Sequence, residues 1–235
     1  MQKMKLLLKR TILFSLITII AASCDNRSAP ESVANIESKL DTAAFISFFK
    51  KLDFDSLHLE NAEGFVSDTD LLLYGQSLDS IYAGLFPDTI LSYLNFHHGN
   101  DQQYAVGRFD LDPYHEAYLL RHHGEAFPSA IHLLIYDKKS RCFLAEKLEV
   151  VENWGDDGDE TVISSTLRKR NNILEITMNE HGSGHEPSDT TFNTLIQEES
   201  ILLYRIERGH ISLVKETVLK TDTVSMGTPI NGDPH

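Results

Sequence analysis

The stretch YAVGRFDLDPYHEAYLLRH, residues 104–122, decides how the chain is read. Two β-like runs, 104–111 and 115–122, flank Asp112-Pro113, a dipeptide that favours a turn. The same grammar continues downstream. Residues 130–137, 141–151, 160–169, 172–179, 191–198, 200–207 and 210–219 are rich in β-branched, aromatic and aliphatic residues. Turn formers separate most of them: Asp137-Lys138-Lys139, Asp156-Asp157-Gly158-Asp159, Asn171-Asn172 and Arg208-Gly209. Short strands repeating every ten to fourteen residues or so predict an antiparallel meander, arranged as a curved sheet, a sandwich or a barrel. The gaps are too short for crossover helices, which argues against a parallel sheet.

Alternation assigns faces. In 172–179, Leu174, Ile176 and Met178 fall on one side and Glu175 and Thr177 on the other. In 210–219, Ile211 and Leu213 share a side, but Val214 and Val218 fall opposite, which predicts a strand covered on both faces. Ahead of the meander, Asp41 is a good N-cap, and Phe45, Phe48, Phe49 and Leu52 recur at helical spacing. Lys50 and Lys51 suit the C-terminal end of a helix over 42–52. Runs 70–86 and 88–96, closed by Pro87 and Gly99, fit short helices, but their pattern leaves the element type open. The fold class expected is therefore α+β, mainly β, with an N-terminal helix packed on the antiparallel meander.

The first residues give an address. Lys3, Lys5, Lys9 and Arg10 precede an apolar run, Thr11–Ala22. A helix of that length is ~18 Å long, well short of the ~30 Å hydrocarbon core. A basic segment, a short apolar run and small residues before a boundary are the pattern of an export signal. Ala21-Ala22-Ser23-Cys24 then resembles the lipobox of bacterial lipoproteins, with alanine at position 21 where leucine is most frequent. The resemblance implies diacylglycerol on the Cys24 thiol, cleavage before Cys24, and anchoring through two or three acyl chains. Residues 1–23 are thus expected to be a signal peptide, 24–38 a polar tether, 39–220 the globular domain and 221–235 a loose tail. The location implied is the bacterial cell envelope, with the outer membrane favoured over the inner. The mature part also resembles lipoproteins of Bacteroidota-type bacteria at Phe45-Phe48-Phe49, Tyr104–Phe109, Gly155–Glu160 and Ser164-Ser165. That likeness carries no activity or catalytic residues with it.

Charge narrows the partners. Removing residues 1–23, which hold four of the 21 basic residues and none of the 35 acidic ones, takes the net charge from −14 to −18. Nucleic acid is excluded on this ground, because its binding rests on Lys and Arg neutralising phosphates. A chain this acidic is also expected to be repelled by anionic headgroups, leaving the lipid to do the anchoring. Two cysteines exist, Cys24 and Cys142, so with Cys24 acylated no disulfide forms within the chain. Cys142 reads as a small buried apolar residue.

Two clusters could carry chemistry. The acidic loop 152–160 offers Asp156, Asp157, Asp159 and Glu160 around glycines, the oxygen-rich setting Ca²⁺ requires, but without the EF-hand spacing. Its plainer reading is a solvated hairpin loop. The loop 181–186 offers His181 and His185, which would need further donors to hold Zn²⁺. Two glycines between them argue against helical spacing, and the plainer reading is hydrogen-bonded or exposed histidines. No G-x-S-x-G elbow or phosphate-cradling glycine loop occurs. The function expected is a lipid-anchored, non-enzymatic binding or assembly module for an envelope protein or a small ligand. The alternative is a metal-binding protein or metal-dependent enzyme using residues 152–160 or 181–186.

Overall fold

The computed structural model describes residues 41–60, 75–94, 102–123, 130–156, 159–185 and 194–225. The expected signal peptide and tether, Cys24 and Asp157 lie outside the described residues. Lys39–His235 forms one compact unit. In chain order its elements are α1 (Thr42–Ser47), β1 (Ser56–Leu59), β2 (Gln76–Leu78), a 3-10 turn (Ser80–Leu85) and α2 (Asp88–Leu94). The meander follows: β3 (Gln102–Asp110), β4 (His115–His123), β5 (Ala130–Asp137), β6 (Cys142–Asp156), β7 (Asp159–Arg170), β8 (Ile173–His185), β9 (Thr194–Glu207) and β10 (His210–Ser225).

All strand pairs are antiparallel, and the sheet is open, in the order β10-β9-β8-β7-β6-β5-β4-β3-β2. The residues that make β6 long also make it bend. Its first part pairs with β5 as far as Ile131↔Val151, and Glu152–Asp156 pair with β7 instead. A bulge lies between Ile131 and His132, opposite Val151 and Glu149, and bulges turn strands in this way. β1 fills the side of β7 that β6 does not reach, matching Ser56–Leu59 with Arg168–Ser165. The sheet therefore doubles over, and one core is lined by both halves: Phe109, Leu119, Leu133 and Val150 from one, Leu167, Ile176, Met178 and Ile206 from the other.

The β3–β6 half is covered on its second face as well. There Phe45 of α1, Tyr82 and Phe86 of the 3-10 segment and Ile90 of α2 join Tyr118, Leu120, Leu134 and Phe143 of the strands in a second core. Coverage on both faces explains why the centres of β4 and β5, Ala117–Leu120 and Leu133–Tyr136, are unbroken apolar runs while Leu174–Met178 of β8 alternates cleanly. α1 is shorter than the 42–52 helix expected from spacing. Asp41 caps it, accepting from Ala43 and Ala44 N–H, and the helix stops at Ser47. Lys51 then bridges to Arg108, and the Leu52 side chain fills the space that Gly107 leaves open. Lys51 meets Asp110 rather than a helix end, with Nζ 2.9 Å from Oδ2.

Three further expectations are corrected. The described part of run 191–198, from Thr194, joins run 200–207 within one strand, β9, because uninterrupted pairing with β8 carries the backbone through Glu198-Glu199. β10 continues to Ser225, five residues into the expected tail; 226–235 lie outside the described residues. β10 is also an edge, with Leu213, Val214 and Val218 exposed, not a strand covered on both faces. The bulge between Leu213 and Lys215 inserts a residue, so strict alternation misassigned Val218, which stands opposite buried Ser200; a second bulge follows between Val218 and Lys220.

Candidate functional site

The two sequence candidates meet at the same end of the β6–β9 sheet, but not as ion cages. The acidic segment is mostly strand. Asp156 ends β6 opposite Asp159, the first residue of β7, and Glu160 pairs with Gly155 and Ser183. Consecutive strand residues point to opposite faces, so Asp159 and Glu160 do not converge on one cation. Asp159 is used structurally: its Oδ1 accepts the His185 backbone N–H at 3.1 Å and lies over Gly184.

The histidine segment is not a loop either, because β8 runs through His185. His181 and His185 share a face, four residues apart, which sets them roughly 13 Å from each other along the strand. That is too far for one metal ion. His181 stands between Val162 and Glu199, and His185 beside Leu195. Among the described residues, no three His, Cys, Asp or Glu side chains are grouped so as to hold a metal ion. Cys142 is half-buried, with Sγ 3.0 Å from Ser140 Oγ.

A different cluster stands at the corner where β6 crosses between the halves. His132 on β5 pairs with Glu149 on β6, and its Nδ1 lies 3.5 Å from Glu149 Oε1 without a hydrogen-bond partner. Burial, then the Lys147 and His122 charges, push His132 down to about 3, so the ring is neutral and the contact is not an ion pair. Burial likewise raises Glu149 and lowers Lys147. Three residues on, Glu152 opens the row Glu152–Ile163–Glu180–Ser200–Val218 across five strands. Burial, then Glu149 and Glu180, push its carboxyl up to about 7, against a smaller opposing effect of Lys147. Near neutrality the corner can therefore hold a proton.

Beyond that row, the face that carries the core continues past the last deeply buried side chains. Thr161, Gly182 and Glu198 share one row, and Asp159, Gly184 and Ile196 the next; all are half-buried. Gly182 and Gly184 leave the floor of this strip without side chains, and a Cβ at Gly182 would meet nothing closer than 3.7 Å. Of this corner only Glu152, the first residue of the acidic stretch 152–160, lay within a sequence candidate. A signal for the rest was available: in "EKLEVVE" the alternation of Lys147 and Glu149 with Leu148 and Val150 breaks at Val150-Val151, the mark of a bulge.

No protein-family model matches the chain, and no curated protein or solved structure was found to be similar to it.

The corner predicts a pH dependence. A carboxyl raised in the folded state stabilises the fold fully below its ordinary value near 4.5, and this contribution is lost as pH rises through about 7. Glu152 is half-exposed, so screening limits the effect to roughly 1–2 kcal/mol. Glu152→Gln is expected to melt a few degrees above wild type at pH 8 and to lose that advantage at pH 4. An equal difference at both values would refute the assignment.

Proposed function

We propose that this chain is a lipid-anchored envelope protein, held by acyl groups on Cys24, whose helix-covered β domain serves as a non-enzymatic binding or assembly module. The observation that carries the anchor is the Ala21-Ala22-Ser23-Cys24 boundary after a basic, short apolar leader. No helix of the described residues is long and apolar enough to cross a membrane. For the module, the support is the half-buried strip along β7–β9, open over Gly182 and edged by Asp159 over Gly184. Wild type expressed in a bacterium should yield a chain beginning at residue 24 with a diacylglyceryl mass, partitioning into detergent. Cys24→Ser should abolish both the mass and the partitioning. A Cys24→Ser chain that is still trimmed to residue 24 and acylated would refute the anchor.

A further inference from the structure

The domain is acidic as a whole, but its charge is segregated. The β3–β4, β5–β6, β7–β8 and β9–β10 turns come together at one end. Gly209 packs against the His115 ring, where a Cβ would stand 2.7 Å from ring atoms. His210 Nδ1 meets Glu146 Oε1 at 2.8 Å, and Lys138 Nζ meets Asp110 Oδ1 at 2.6 Å. The pair Ile173↔Glu207 sets the β7–β8 turn beside the β9–β10 turn. From this end Lys139, Arg141, Arg168, Arg170 and Arg208 project as exposed side chains, together with Tyr114, which is 65 % exposed.

Most acids of the same end are turned onto the fold. Asp112 accepts from the Tyr114 and His115 backbone N–H groups, and Asp137 from Lys139 N–H and Ser140 Oγ. Asp110 lies between Lys51 and Lys138, which hold its carboxyl well below the usual carboxylate range. Asp53 and Asp55 remain exposed at the margin, as does Glu207, whose Oε1 lies 3.9 Å from Arg208 Nε. Glu152, Asp159, Glu180 and Glu198 lie towards the other end of the strands.

We propose that this basic, tyrosine-bearing end docks on anionic phospholipid headgroups. The choice of a lipid surface rests on the reading of Cys24 as the anchor; the surface itself rests on charge placement. Guanidinium groups match phosphate oxygens in two-pronged hydrogen bonds, and tyrosine suits the headgroup layer, where one end of its ring is wet. The chain enters the domain at this end too, since Phe45 of α1 packs edge-on against Phe143, next to the β5–β6 turn. The residues between Cys24 and Asp41 span at most about 60 Å, which keeps the domain within reach of the bilayer. An anionic surface attracts these tips and repels the opposite end, so it also orients the domain.

Residues 39–235 contain both cores and are suited to a vesicle sedimentation test. Binding is expected to vesicles of phosphatidylcholine with phosphatidylglycerol, and not to phosphatidylcholine alone, and it should fall with salt. Arg168→Glu with Arg170→Glu should weaken it by about tenfold or more, as should Lys139→Glu with Arg141→Glu. Lys215→Glu with Lys220→Glu makes the same charge change on β10 and should leave binding near wild type. Equal or absent binding to the two vesicle types, or an equal loss in the β10 variant, would overturn the proposal. The intact mass of the full chain reads the anchor separately. An unacylated Cys24 with phosphatidylglycerol selection intact removes the anchor alone; an acylated Cys24 without selection removes the docking alone.

Discussion

Phe45→Ala is expected to cost about 3–5 kcal/mol, lowering the melting temperature by roughly 10 °C or more. The side chain is fully buried, with ring centroids of Phe49, Tyr82, Phe86 and Phe143 between 5.1 and 5.9 Å away. Those rings belong to the helical cover and to β6, so a single truncation empties the point where the cover meets the sheet. Tilted and edge-on pairs at these spacings add to the area term. The cavity cannot collapse easily, because Phe143 is also held by Tyr118 and Tyr136 from the sheet side. Hydrogen exchange should show α1 and the 3-10 segment losing protection first, with β7–β9 protected as in wild type. A melting temperature within 2–3 °C of wild type, the size expected for a change of about 1 kcal/mol, would show that the cover contributes little.

Removing the Glu116 carboxylate is expected to cost about as much, for an electrostatic reason. Glu116 is nearly buried on β4, and its two oxygens accept from Arg108 Nη1 and Tyr118 Oη, each at 2.9 Å. Burial and the Glu116 charge push the Tyr118 hydroxyl far above its ordinary value, so it stays a donor at any working pH. Glu116→Ala leaves the Arg108 charge three-quarters buried and Tyr118 Oη without its acceptor. Breaking one side of a buried pair in this way costs about 3–5 kcal/mol. The matched replacement Arg108→Met with Glu116→Leu should recover the part of the loss due to Arg108, since that charge is no longer left alone, while Tyr118 Oη still lacks its acceptor. Equal melting temperatures for the single and double variants would refute the pairing. The loss from Glu116→Ala should also exceed that from Lys51→Ala, whose contact with Asp110 is solvent-exposed.

The corrections share one cause. Reading β10 from alternation failed because a bulge inserts a residue without leaving a turn signal. The helix ended early because Lys51 and Leu52 are claimed by Arg108 and Gly107, far away in the chain. Placing His181 and His185 in a loop failed because pairing on both sides extends β8 through two glycines that disfavour strand in isolation. Local preference was overridden wherever neighbouring strands supplied the hydrogen bonds.

By itself the sequence determined what depends on near neighbours: the antiparallel meander, most of its turns, and the inward set Leu174, Ile176 and Met178. Only the tertiary structure decided what depends on residues distant in sequence. It bends β6 so that the sheet encloses a core, and it brings His132 beside Glu149. It also gathers the exposed arginines and lysines of separate turns at one end of a chain whose total charge is strongly negative. Turn chemistry and alternation act over a few residues and are therefore legible in order. Burial and electrostatics act through space, and only the folded path of the chain sets which charges share a surface and which carboxyl is kept from water.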